Sequence, residues 1–200
     1  IGISIYPVDA QDEDDFVKHA DSAMYEAKKQ GNIFKFHKNP MEDELAGRIL
    51  LEENLLNALE NGEFTLFYQP KLDITTVTIC GIKSLLRWRS PELGFVPPKD
   101  FIPKAEKTGL IVPIGEWALQ RLCEQQVEWR RKGLPAVSIT VPLSLRQFHF
   151  PGLVRSVSRI IEKTGIEPQW LEFEITQSAV FHDVEFAGNQ LSELKRLGVG

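Results

Sequence analysis

The sequence predicts an α/β fold, with a parallel sheet or barrel over most of the chain, on three observations. From Phe64 onward, strand-like runs alternate with amphipathic helices in a βαβα order, the pattern of parallel strands joined by crossover helices. The composition, 42% hydrophobic and 26% charged, is that of a folded globular protein. No run approaches the roughly 18 consecutive apolar residues that a membrane-spanning helix needs, so no span is expected. The 200 residues allow one large domain or two smaller pieces. A net charge of −5 argues against a broad nucleic-acid footprint, yet leaves room for one small anionic ligand held by local donors. Cys80 and Cys123 sit in apolar or amphipathic runs and read as buried free thiols of a reducing compartment.

The elements follow in order. Ile1–Ile5 alternates and is β-branched, which reads as a strand ended by Pro7. With no basic flank and no initiating Met, this opening reads as the middle of a longer protein, not as a signal peptide. The acidic run Asp12–Asp15 suits the positive end of a helix dipole. A helix is expected over about Asp14–Gln30, with Phe16, Val17, Ala20, Ala23, Met24 and Ala27 on one stripe and Gly31-Asn32 as its stop. Ile33, Phe34 and Phe36 suggest a short closing strand before the polar break His37–Pro40. Leu45–Leu59 reads as a connecting helix, with Leu45, Ile49, Leu55 or Leu56, and Leu59 in phase, ended by Asn61-Gly62.

Beyond it come strands at Phe64–Tyr68 and Thr75–Trp88, a helix near Pro113–Lys132 and a strand at Val137–Leu143. A helix near Gly152–Lys163, a strand at Leu171–Ile175 and a helix near Val184–Leu197 complete the pattern. Gly198 ends the last helix and Val199 reads as entry to a further strand, so the chain is expected to stop in mid-fold. Trp88, Trp117 and Trp129 read as core. The four histidines, His19, His37, His149 and His182, show no metal-ligand spacing and read as surface or loop residues.

Specific motifs narrow this reading. The run Ala20-Asp21-Ser22-Ala23-Met24-Tyr25-Glu26-Ala27-Lys28-Lys29-Gln30-Gly31-Asn32 resembles the closing helix of GGDEF domains, A-D-x-A-M-Y-x-A-K-x-x-G-x-N, and Gly2–Pro7 fits just upstream. Lys28 matches a family position associated with nucleotide phosphates; read by itself it is a solvated helix lysine. Phe67-Tyr68-Gln69-Pro70-Lys71-Leu72 resembles the opening strand of EAL domains. Gly81-Ile82-Lys83-Ser84-Leu85-Leu86-Arg87-Trp88 aligns with the signature G-x-E-A-L-x-R-W, and Pro91–Gly94 and Phe101–Ile111 fit the loop and helix that follow. Val141–Phe148 aligns with V-N-x-S-x-x-Q-F, and Leu171–Ser178 with L-x-x-E-I-T-E-S. By this resemblance residues 1–38 are the last strand-helix-strand of an α/β GGDEF domain, and residues 39–62 are a connecting helix. Residues 63–200 are then the N-terminal part of an EAL domain, a partial TIM-type (β/α) barrel that stops before the family's D-D-F-G motif.

The resemblance implies cyclic di-GMP signalling, with the dinucleotide bound at the C-terminal ends of the barrel strands. Active members are phosphodiesterases that use two Mg²⁺ or Mn²⁺ ions, which neutralise the phosphodiester and lower the pKa of the attacking water. Such hard cations want oxygen ligands, chiefly carboxylates. Gln69 and Arg87 fit positions that contact the dinucleotide, and Leu85 fits one that packs on it. Arg87 can donate two hydrogen bonds to a phosphate; without a ligand it reads as half of a strand ion pair.

Three positions depart from the pattern: Lys83 replaces the signature Glu, Pro142 replaces the ligand Asn, and Gln177 replaces the second Glu of E-I-T-E. Only Glu174 survives among the visible metal positions. A protonated ammonium cannot ligate a metal. At about 4 Å and an effective dielectric of about 20, exchanging attraction for repulsion against a cation costs several kcal/mol. The expectation is a cytoplasmic regulator with no catalysis and no cofactor. It is a cyclic di-GMP receptor in which Lys83 partly replaces a cation, or a module that acts through protein partners or as a homodimer. The alternative is a Mg²⁺- or Mn²⁺-dependent cyclic di-GMP phosphodiesterase.

Overall fold

Strand and helix boundaries are set where the local hydrogen-bond chemistry changes, and the computed structural model locates them. It describes all residues except 11, 30, 32, 38–39 and 176–182, and for residues 40–48 the backbone alone. The chain divides into two units, Ile1–Glu53 and Asn54–Gly200.

In the first unit, β1 (Gly2–Ile3) and β2 (Lys35–Phe36) pair in parallel, joined by α1 (Glu13–Lys29). The acidic first turn and Lys28 and Lys29 in the last turn of α1 complement its dipole. Ala23 and Ala27 form the buried stripe, whereas Val17, expected on it, is exposed. A side chain on Gly2 would collide with the Ala20 carbonyl and the Met24 amide, so the absence of a Cβ permits the strand to lie against the helix. The expected strand to Ile5 is cut short because the Ile5 amide donates to the Asp9 carboxylate and the Asp9 amide to the Ile5 carbonyl, which turns the chain. His19 is half-buried and stacks on His37, with ring centres 4.0 Å apart. The second helix, α2 (Pro40–Ala58), starts earlier than Leu45; a proline at the first helical position lacks only an N–H that would be unpaired there. Leu55, not Leu56, is its buried phase position.

The second unit is a five-stranded mixed sheet. β3 (Phe64–Asp73) and β4 (Thr78–Ser90) form an antiparallel hairpin, and β5 (Gly94–Val96) pairs with β4. β6 (Ser138–Leu143) runs parallel to β4, and β7 (Leu171–Ile175) parallel to β6, giving the order β3-β4-β6-β7. The crossovers are helical: α3 (Pro98–Thr108) and α4 (Ile111–Arg131) precede β6, and the short α5 (Leu145–Phe148) and α6 (Leu153–Thr164) precede β7. After β7 comes α7 (Val184–Arg196), and Gly200 then bonds to both Leu171 and Phe173 at 2.9 Å, beside β7. This is the entry to a strand that Val199 suggested.

The expected strand from Thr75 begins at Thr78 because the Asp73 carboxylate accepts from the Thr75 and Thr76 amides and closes a turn there. α4 starts before Pro113, which the first helical turn tolerates. One face of the sheet builds the core: Ile139, Val141, Leu143 and Leu171 pack on Leu119, Leu122 and Cys123 of α4, Val157 and Ile160 of α6, and Leu194 of α7. Trp88 is fully buried against Phe101 and Phe64, as expected. Trp117 and Trp129 are only half-buried, at the margin of the helix layer. Cys80 is exposed on the hairpin, against the expectation of a buried thiol, while Cys123 is buried. Burial pushes the Cys123 thiol up to about 12, so it stays protonated and unreactive. Among the described residues no helix is long and apolar enough to cross a membrane.

Candidate functional site

Alternate residues of a strand share a face. Since Ile139, Val141 and Leu143 face the helices, Thr140 and Pro142 face the other way. Register extends this assignment across the sheet. Gln69 pairs with Lys83, Lys83 with Thr140, and Thr140 with Glu172; Pro142 lies opposite Glu174. Leu85 and Arg87 follow Lys83 on the same face of β4. Gln69, Lys83, Leu85, Arg87, Pro142 and Glu174 therefore share one face, while Gln177 lies outside the described residues.

On this face Lys83 reaches from β4 past β6 to β7. Its Nζ donates to Glu174, 2.8 Å from Oε1 and 2.7 Å from Oε2. Both partners are partly open to water, with side chains 32% and 51% exposed. Toward the N-terminal ends of the parallel strands a second lysine makes a different arrangement. Lys71 Nζ donates to Thr140 Oγ1 at 2.9 Å and to Glu172 Oε2 at 3.0 Å, and the Thr140 hydroxyl donates to the same Glu172 oxygen at 2.9 Å. The Lys71 hydrogen bond, aided by the Ser138 and Thr140 hydroxyls, holds the Glu172 carboxyl below the usual range. Lys71 crosses β4 over Gly81, where a Cβ would lie 3.3 Å from its Cδ and 2.7 Å from Ser138 Oγ. The motif reading missed this Lys71–Thr140–Glu172 network. The two-residue spacing of Glu172 and Glu174 on β7 was the available signal that both face one way.

Arg87 marks the C-terminal end of the face. Its Nη1 donates to the Leu86 carbonyl at 3.0 Å, and its guanidinium lies over the Phe67 ring, 5.3 Å from the centre. A guanidinium on an aromatic face keeps donor edges free for an anion. Phe67 is exposed and Gln69, on the same strand, is exposed too. A cleft of about 310 Å³ opens at the ends of β4 and β6, lined by Leu85, Arg87, Ile102, Pro142, Ser144 and Gln147 among others. Apolar walls with a few polar groups at one end suit a small ligand.

The fit to a pair of divalent ions is poor on these strands. Hard cations take about six or more oxygen ligands. Glu174 has both carboxylate oxygens engaged by an ammonium, and Pro142 offers no side-chain donor. Among the described residues, no group of three His, Cys, Asp or Glu side chains is placed to hold a metal ion.

Relatives with this fold are known. The chain is 39% identical over its full length to the bifunctional diguanylate cyclase/cyclic di-GMP phosphodiesterase MucR of Pseudomonas aeruginosa. It is 32% identical over 99% of its length to the cyclic di-GMP phosphodiesterase PdeR of Escherichia coli. It spans 29% and 30% of the length of these two proteins. A solved structure of the MucR phosphodiesterase in complex with c-di-GMP superposes with a TM-score of 0.73 at 40% identity, covering 76% of this chain and 61% of that one. Residues 52–200, which carry the sheet and its charged face, match the model of the EAL domain, and the chain belongs to the EAL domain family.

Proposed function

We propose that this chain is a cyclic di-GMP signalling segment whose EAL face takes the dinucleotide as a receptor, without metal and without hydrolysis. One observation carries the reading: the Lys83 ammonium binds the Glu174 carboxylate, and the resemblance assigns both residues to positions that hold metal in active members. A lysine in that place can supply to a phosphate part of the positive charge that a cation would. The ligand-side residues favour retained binding, since Gln69, Leu85 and Arg87 all keep the family residue types on the same face. Gln69 would hydrogen-bond the dinucleotide, Leu85 would pack on it, and Arg87 would grip a phosphate.

The relatives' names favour a second reading, a Mg²⁺- or Mn²⁺-dependent cyclic di-GMP phosphodiesterase. A domain that neither binds nor cleaves the dinucleotide would act through protein partners or as a homodimer. The proposal extends to the rest of the chain. Residues 1–38 are the closing strand-helix-strand of a GGDEF domain, residues 39–62 the connecting helix and residues 63–200 part of the EAL domain, in a cytoplasmic protein. The parallel β1–α1–β2 unit supports the first of these assignments.

Calorimetric titration of cyclic di-GMP, once in EDTA and once in Mg²⁺, followed by chromatography of the ligand, tests the proposal. Metal-independent binding with intact ligand is expected. Cleavage in Mg²⁺ establishes the phosphodiesterase instead, and no binding leaves the protein-contact role.

A further inference from the structure

We infer that Glu174 is an internal competitor for Lys83 and thereby sets the affinity of this face for a phosphodiester. The inference rests on the receptor reading above. The carboxylate grips the ammonium with both oxygens, at 2.7 and 2.8 Å, so two of its three N–H donors face Glu174 and a phosphate must compete for them. The other cations of the face differ. Lys71 is tied to two partners, Thr140 and Glu172, which are bonded to each other, and Arg87 rests on Phe67. Among the described residues Lys83 has a single acidic partner, Glu174, whose side chain is half-exposed.

A carboxylate and a phosphodiester present the same recognition chemistry, two oxygens sharing one negative charge. Exchange of one for the other at Lys83 is therefore geometrically simple. It is opposed twice: the ion pair must open, and the released Glu174 charge then faces an incoming anion. Solvent-exposed ion pairs are weak, so the contact works as a displaceable latch. Glu174 is accordingly an affinity-determining residue, and a partner that neutralises or withdraws it would strengthen dinucleotide binding without touching the ligand.

The test is titration of cyclic di-GMP in EDTA into the chain and its Glu174→Gln, Glu174→Ala, Lys83→Gln and Lys83→Gln/Glu174→Gln variants, with thermal melting as a check of folding. Removing the latch is expected to tighten binding about three- to tenfold in both Glu174 variants, the range expected for an exposed ion pair plus one like-charge repulsion. Lys83→Gln is expected to weaken binding, and in its background Glu174→Gln is expected to recover only the repulsion part. If the parent chain binds and folded Glu174 variants bind no tighter, the latch is refuted while the receptor reading stands. If neither the parent nor any folded variant binds, the receptor reading falls and the latch with it.

Discussion

The two faces of the same sheet are held by different physics. On the helix side, Ile139, Val141, Leu143 and Leu171 are sealed under α4, α6 and α7, and Trp88 is fully buried. On the other side, lysines of β3 and β4 meet glutamates of β7 in contacts that water still reaches. Burial of apolar area is non-directional and roughly proportional to the area removed from water, and each well-packed side chain is worth kilocalories. Exposed ion pairs are individually worth about 1 kcal/mol or less. The core face therefore maintains the fold, and the charged face is free to change its chemistry. Lys83 and Pro142 can occupy such a face without loss of the sheet, because neither of them touches the packed side.

The largest expected effect tests the core side. Trp88→Ala removes a fully buried indole, its packing on Phe64 and Phe101 and its hydrogen bond to Glu63. A loss of about 3–5 kcal/mol is expected in denaturant unfolding. A loss below about 1 kcal/mol would show that the core does not carry the sheet.

The charged face should respond less, and in a manner that chemistry can reverse. Lys83→Glu exchanges an ion pair for two facing carboxylates, with an expected cost of about 1–2 kcal/mol in metal-free buffer. Mn²⁺ should then raise the melting temperature of this variant and not that of the parent, since only the variant offers paired oxygen ligands. Equal shifts in both proteins would mean that Glu174 and its neighbours already bind the ion.

The smallest effect concerns acid. Glu172 has a folded-state pKa held below its ordinary value of 4.5, first by Lys71. A depressed carboxylate contributes stability above the unfolded value and loses it as pH falls through the folded value, so the loss belongs to the range below about pH 4.5. With the Glu172 side chain 37% exposed, screening keeps the contribution below about 1 kcal/mol. Lys71→Met should flatten the acid limb of the stability curve by about that amount; an unchanged limb would remove Glu172 from the account.

Local patterning made much of the fold legible. β7 was readable at its observed limits, Leu171–Ile175, because an alternating apolar run bounded by turn residues has little other reading. The alternation also implied that Glu172 and Glu174 share a face. Where the reading slipped, a side chain had entered the backbone's hydrogen-bonding. The Asp73 carboxylate captured the Thr75 and Thr76 amides and delayed β4, and the Asp9 carboxylate captured the Ile5 amide and shortened β1. Cys80 was misread as buried because its neighbours are apolar, yet it is exposed on the β3–β4 hairpin.

By itself the sequence determined most of the order of strands and helices, the EAL family and the residue types on the charged face, among them Lys71, Lys83, Pro142, Glu172 and Glu174. Tertiary structure decided which of those residues meet. Lys83 and Glu174 are separated by 91 positions, and Lys71 and Glu172 by 101. Their contacts exist because β6 lies between β4 and β7 in one particular parallel register. A slip of one residue would turn every one of these side chains to the opposite face. Register is set by the packing of the whole apolar side against its helices, so the chemistry of the charged face was decided on the other side of the sheet.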